Sequence, residues 1–85
     1  MPPPYEFHDT SHVEKRVRER RFTVEQAMLT IEQPTRILKT PPRRGNHGGM
    51  IWLFFRAFGN RILVTVAEVK NNECWIITAY WEEGY

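Results

Sequence analysis

The chain carries a single cysteine, Cys74, so no internal disulfide can staple it, and a lone thiol fits a reducing compartment. As a nucleophile Cys74 would need a neighbouring cation to lower its pKa, and only Lys70 stands close in sequence. Histidine is scarce too, at three residues. His8 and His12 flank an expected helix start, and no Cys or His pair has zinc-finger spacing, so neither a metal nor a cofactor is expected. Long apolar runs are missing: MIWLFF stops at Arg56, well short of the about 20 residues a membrane helix needs. The opening MPPPYEFHD has neither the basic stretch nor the apolar stretch of a signal peptide. A cytoplasmic protein with no membrane partner is the expectation. Internal repeats are lacking as well.

What is present is material for one small core. The 85 residues suffice for a single domain, 41% are hydrophobic, and three Trp, five Phe and three Tyr rule out a purely disordered segment. Lys and Arg exceed Asp and Glu by only 12 to 10, but nine of the twelve basic residues fall between positions 15 and 44. Nine of the twelve are arginine, the side chain whose planar fork matches phosphate. That clustering fits either a solvated surface or a polyanion-binding one.

Residues 1–9 read as an extended lead-in, within which YEFH is either a short edge strand or simple coil, and residues 10–85 as one domain. Ser11 with Glu14, and Thr23 with Gln26, have the spacing of capping boxes and mark two helix starts. The second helix carries the stripe Val24, Ala27, Met28, Ile31 and ends before Pro34; the first has only Val13 and Val17, with Glu14–Arg18 and Lys15–Glu19 as exposed pairs. Thr35 to Thr40 suggests a strand. Pro41 to Gly49, PPRRGNHGG, reads as a loop. MIWLFFRAF, RILVTVAEV and CWIITAYW then form an antiparallel meander, broken at Gly59-Asn60 and at 70–73. The central run is apolar on both faces, so it should have strands on either side and helices over one face. The fold class expected is α+β: an N-terminal helical hairpin on a twisted antiparallel sheet of three to four strands.

On the first helix His12, Arg16 and Arg20 form a ridge beside the valine seam, which is either a solvated face or the border of a binding groove. Arg43, Arg44 and His47 lie in the glycine-bearing loop, whose amides are either solvated or able to approach a phosphate. Arg56 and Arg61 read as edge charges that guard against aggregation. In the last strand strict alternation would place Cys74, Ile76, Thr78 and Tyr80 on one face and Trp75, Ile77, Ala79 and Trp81 on the other. Thr78 and Tyr80 could then serve a substrate, or simply pack.

TSHVEKRVRERRFTVEQAMLTIEQP, followed by strands and a terminal IITAYW, resembles an uncharacterised family of small bacterial domains over Thr10 to Trp81. That family is similar to toxins of the RelE and ParE superfamily and to BrnT-type ribonuclease toxins. The matching positions are His12, Arg16, Glu19, Arg20, Pro34, Thr78 and Tyr80. The resemblance implies a RelE-like fold and metal-independent RNA cleavage by a toxin held in check by an antitoxin, with RNA, free or ribosome-bound, as the other partner. His12, Arg16, Arg20 and Tyr80 would form the catalytic set, His12 moving the proton and the arginines clamping phosphate. Arg43, Arg44, His47 and Thr78 would hold the substrate. His47 rivals His12 for proton transfer, and His12 is favoured for its neighbours. Two departures stand out: Arg21 and Phe22 follow the second arginine where the family has a small residue, and no basic tail follows Trp81. The competing expectation is a non-catalytic module that binds protein or nucleic acid through the basic ridge and the C-terminal aromatic strand.

Overall fold

The Thr23 and Gln26 capping box forms as its spacing predicts. The Gln26 amide donates to Thr23 Oγ1 at 3.0 Å, and the Thr23 amide donates to Gln26 Oε1 at 2.9 Å. In this computed structural model the backbone is described for residues 5–9 and 11–83, and the side chains for residues 5–8, 15–38 and 45–82. The elements run β1 (Glu6–Asp9), α1 (Ser11–Arg20), α2 (Val24–Glu32), β2 (Arg36–Arg44), β3 (Met50–Phe58), β4 (Arg61–Lys70) and β5 (Glu73–Glu83). The side chains of Ser11, His12, Val13 and Glu14, and those of Arg43 and Arg44, lie outside the described residues.

The α+β class holds, with two differences from the sequence reading. The sheet has five strands, in the order β1-β5-β4-β3-β2, and it is mixed because β1 runs parallel to β5. The short edge strand that YEFH allowed forms over EFHD, and its partner lies at the far end of the chain. The helices are not a mutually packed hairpin: α1 lies on β5, and α2 lies on β4 and β3. Arg21, at φ 56°, turns the chain between them after its amide caps Val17 O at 3.0 Å.

The helices cover one face of the sheet. Ala27 and Ile31 of α2, Phe22 from the inter-helix turn, and Phe54, Leu63, Ala67, Cys74, Ile76 and Ala79 of the sheet form the buried core. Val17 packs against it from α1. β4, flanked by β3 and β5, is the central strand that its two apolar faces predict. Burial pushes the Cys74 thiol up to about 12, so it is an inert core residue. Arg56 and Arg61 are not edge guards. Arg56 lies on β3, paired on both sides, and donates to the Gln33 carbonyl at the end of α2 at 2.6 Å. Arg61 stacks 4.4 Å over the Trp81 ring.

β2 extends through Pro41, Pro42 and Arg44 with a register irregularity between Lys39 and Arg44, so the loop begins only at Gly45. Prolines are tolerated there because β2 is a sheet edge and one side of its backbone bonds to no strand. Among the described residues no helix is long and apolar enough to cross a membrane.

Candidate functional site

The face of the sheet away from the helices has a polar centre. Residues opposite each other in the ladder share a face, so His8, Trp75, Glu68 and Ile51 form one row across β1, β5, β4 and β3. Glu68 is 2% exposed although no helix lies over it. It is covered by the turn from Gly45 to Gly49, which closes on itself through Gly45 N–H to Gly49 O at 3.0 Å.

That turn is built around the carboxylate. The amides of Gly49 and His47 donate to Glu68 Oε2 at 2.7 and 2.9 Å, and His47 Nδ1 lies 3.1 Å from Oε1. Gly48 takes φ +81°, and a Cβ on Gly45 would overlap the Glu68 carboxylate itself. Burial pushes the Glu68 carboxyl up, but the Gly49 amide, the His47 ring and the His47 amide together outweigh it and leave the group below its ordinary value. An ionised carboxylate only accepts, so His47 Nδ1 donates to it. The amides expected to approach a phosphate are therefore taken by an internal anion.

The His47 ring also stacks on Trp75, with centroids 4.2 Å apart and planes at 6°; His8 stacks on Trp75 at 5.2 Å and 23°. The three rings stand side by side, and His47 remains 44% exposed.

Thr78 and Tyr80 belong to this same open face, contrary to strict alternation. Ala67 pairs with Ile76 but Val66 pairs with Thr78, so Ile77 is an extra residue, a β-bulge. Beyond it the faces exchange: Ala79 and Trp81 join Cys74 and Ile76 in the helix-side core, and Thr78 and Tyr80 join Trp75. β1 pairs with β5 only as far as Ile76, so the β5 edge beyond it is bare of strand. Arg20 reaches that edge from the end of α1, donating to Thr78 Oγ1 at 3.1 Å and to the Ala79 carbonyl at 3.4 Å, with its guanidinium 5.9 Å from the Tyr80 ring centre. Thr78 stands about 7 Å along the strand from Trp75, one pleat repeat.

The sequence-expected set is thus partly assembled. Arg20, Thr78 and Tyr80 come together, and His47 joins them on the same face. Arg16 instead pairs with Glu19 at 2.9 Å on the exposed side of α1. The positions of the His12, Arg43 and Arg44 side chains lie outside the described residues. The sequence reading passed over Glu68, Trp75 and His8. Glu68 had a signal: it is the only acidic residue within the apolar run RILVTVAEV, placed where a central strand must bury it.

Residues 10–81 match the model of a family described as a domain of unknown function, DUF4258. The chain belongs to the DUF4258 family. No curated protein matches it. The match begins after β1 and ends within β5, so it takes in Glu68, His47, Arg20, Thr78, Tyr80 and Trp75, while His8 and the rest of β1 precede the matched segment of this DUF4258 chain.

Proposed function

We infer that the open face of this DUF4258 domain cleaves RNA without a metal, and that His47 is the proton-transfer residue. The observation that carries the reading is the buried Glu68 carboxylate holding His47 Nδ1, which fixes a ring that is still partly open to solvent. A carboxylate-oriented imidazole is the arrangement that activates a hydroxyl near neutral pH. Nε2 would take the proton of a ribose 2′-hydroxyl as that oxygen attacks the adjacent phosphorus. The same proton would return to the departing 5′-oxygen, leaving a 2′,3′-cyclic phosphate and a 5′-hydroxyl. Arg20 would offset the charge gathering on phosphorus, and Trp75 and Tyr80 would stack unpaired bases on the sheet. Glu68 would orient the ring and stabilise its protonated form.

The resemblance of the sequence to RelE, ParE and BrnT-type toxins would, on this reading, add a regulatory partner, an antitoxin. On β5, which pairs with β4 along its length and with β1 as far as Ile76, Arg20 already bonds to the segment beyond. β2 is one of the two sheet edges and exposes Ile37 and Leu38, 46% and 40%, with Ile37 lining a groove of about 260 Å³ together with Tyr5, Trp52 and Phe54. An antitoxin segment would pair there.

The test is cleavage of single-stranded and ribosome-bound RNA by the purified chain in a metal chelator. Cyclic-phosphate ends that disappear in His47→Ala and persist in Arg16→Ala support the assignment. Cleavage that survives His47→Ala removes His47 from the chemistry, and no cleavage of either RNA removes the enzyme.

A further inference from the structure

We propose that Glu6, His8 and Glu73 form a binding site for a divalent transition-metal ion of the zinc class, a structural clasp between β1 and β5. The site follows from register. Glu6 stands directly opposite Glu73 in the parallel β1–β5 ladder, and the two-residue period of a strand brings His8 to the same face as Glu6. One ligand atom from each residue lies within 4.8 Å of the other two. His8 Nε2 is 3.4 Å from Glu73 Oε1 and 4.0 Å from Glu6 Oε1. Ligands on a tetrahedral zinc, bound at about 2.0–2.2 Å, stand roughly 3.3–3.6 Å from one another. The His8–Glu73 separation already has that value, and Glu6, the more exposed carboxylate, has the freedom to close the rest.

Two observations set this cluster apart from an ordinary patch of surface acid. Like charges placed directly opposite in a ladder repel, and here a carboxylate pair is set at the join that holds the shortest strand of the sheet. His8 Nε2, the atom aimed at that pair, is shielded from solvent and makes no hydrogen bond among the described residues. A buried ring nitrogen left without a hydrogen bond is costly, and a cation between the imidazole and the two carboxylates satisfies all three groups at once. The donor set of one imidazole and two carboxylates suits zinc, with a fourth position left for water. Because His8 stacks on Trp75, an ion there also fixes one end of the row of three rings. The clasp stands independently of RNA cleavage, which needs no metal in the reading above.

Calorimetric titration of the chelator-stripped full chain with zinc chloride tests the site, with melting temperature measured in parallel. The expected result is one zinc per chain and a raised Tm, with magnesium unable to substitute. Glu73→Gln and His8→Gln should each weaken zinc binding at least tenfold, while His47→Ala leaves it unchanged. Should His8→Gln fail to fold by circular dichroism, Glu6→Gln, at an exposed position, gives the same reading. Zinc bound as tightly by Glu73→Gln and Glu6→Gln as by the parent, zinc lost in His47→Ala instead, or no stoichiometric binding at all would overturn the proposal.

Discussion

Leu63 and Glu68 sit on the same strand, and both are closed off from water, but by different means. Leu63 lies under the helices, surrounded by Phe22, Ile31 and other apolar side chains whose burial is non-directional. Glu68 lies on the opposite face under a five-residue turn, and its cover is a set of directed bonds from two amides and one imidazole. The first arrangement tolerates changes of apolar shape and is indifferent to pH. The second depends on ionisation and on glycine at named positions. A small domain can thus separate an apolar face that makes it fold from a face with a directed polar site, at the cost of one buried charge.

Five experiments press on that contrast. Leu63→Ala should have the largest effect, about 2–5 kcal/mol of stability lost by urea unfolding, because the void opens at a fully buried position of the core. The His47 imidazole resonances of the folded fraction should stay in place. Gly45→Ala should cost less, about 1–3 kcal/mol, yet shift those same resonances, because the new methyl group displaces the carboxylate that holds the ring. Equal movement of the His47 signals in both variants would erase the distinction between the faces.

Glu68→Gln tests the charge. The folded carboxyl lies below the ordinary value of 4.5, so its ionisation stabilises the fold above that value and the contribution fades as pH falls through the lower folded value. Parent and variant should differ by about 1–3 kcal/mol at pH 7 and converge as the pH drops below 4.5, followed by chemical unfolding at each pH. A gap that stays constant down to pH 3 would mean that shape, not charge, sets the cost. The smallest effect is expected from Thr78→Ala, about 0.5–1.5 kcal/mol from one part-buried hydrogen bond to Arg20. Arg20→Ala should in addition lower the salt dependence of RNA affinity by about one phosphate contact in a filter-binding series.

The sequence announced whatever depends on neighbours along the chain. Thr23 and Gln26 cap α2 because a capping box is complete within four residues. The three C-terminal strands were legible from their apolar patterns and from the turns at Gly59-Asn60 and Asn71-Asn72, and Arg20, Thr78 and Tyr80 were singled out and do meet. Pairings between distant residues were not legible. Glu68 and His47 are 21 residues apart, and their bond exists only because Gly45, Gly48 and Gly49 let the turn fold back over the sheet. His8 becomes a neighbour of Trp75 through a parallel pairing that no local pattern encodes. The β5 faces were misassigned for a similar reason: periodicity reports where a side chain points only while the register is unbroken.

Ile77 behaves as a phase shift of one residue. Upstream of it the strand keeps time with β1 and β4 as one continuous sheet; downstream, the same alternating hydrophobic text is read in the other frame. Taking that residue into the ladder at unchanged length would leave the composition of β5 untouched while turning Thr78 and Tyr80 toward the helices and Ala79 and Trp81 toward solvent. The chain would lose the grip of Trp81 Nε1 on the Arg21 carbonyl and the seat of Arg20 in one stroke. Deleting Ile77, by contrast, would keep every downstream residue on its present face, since the ladder already pairs Ile76 and Thr78 with consecutive residues of β4.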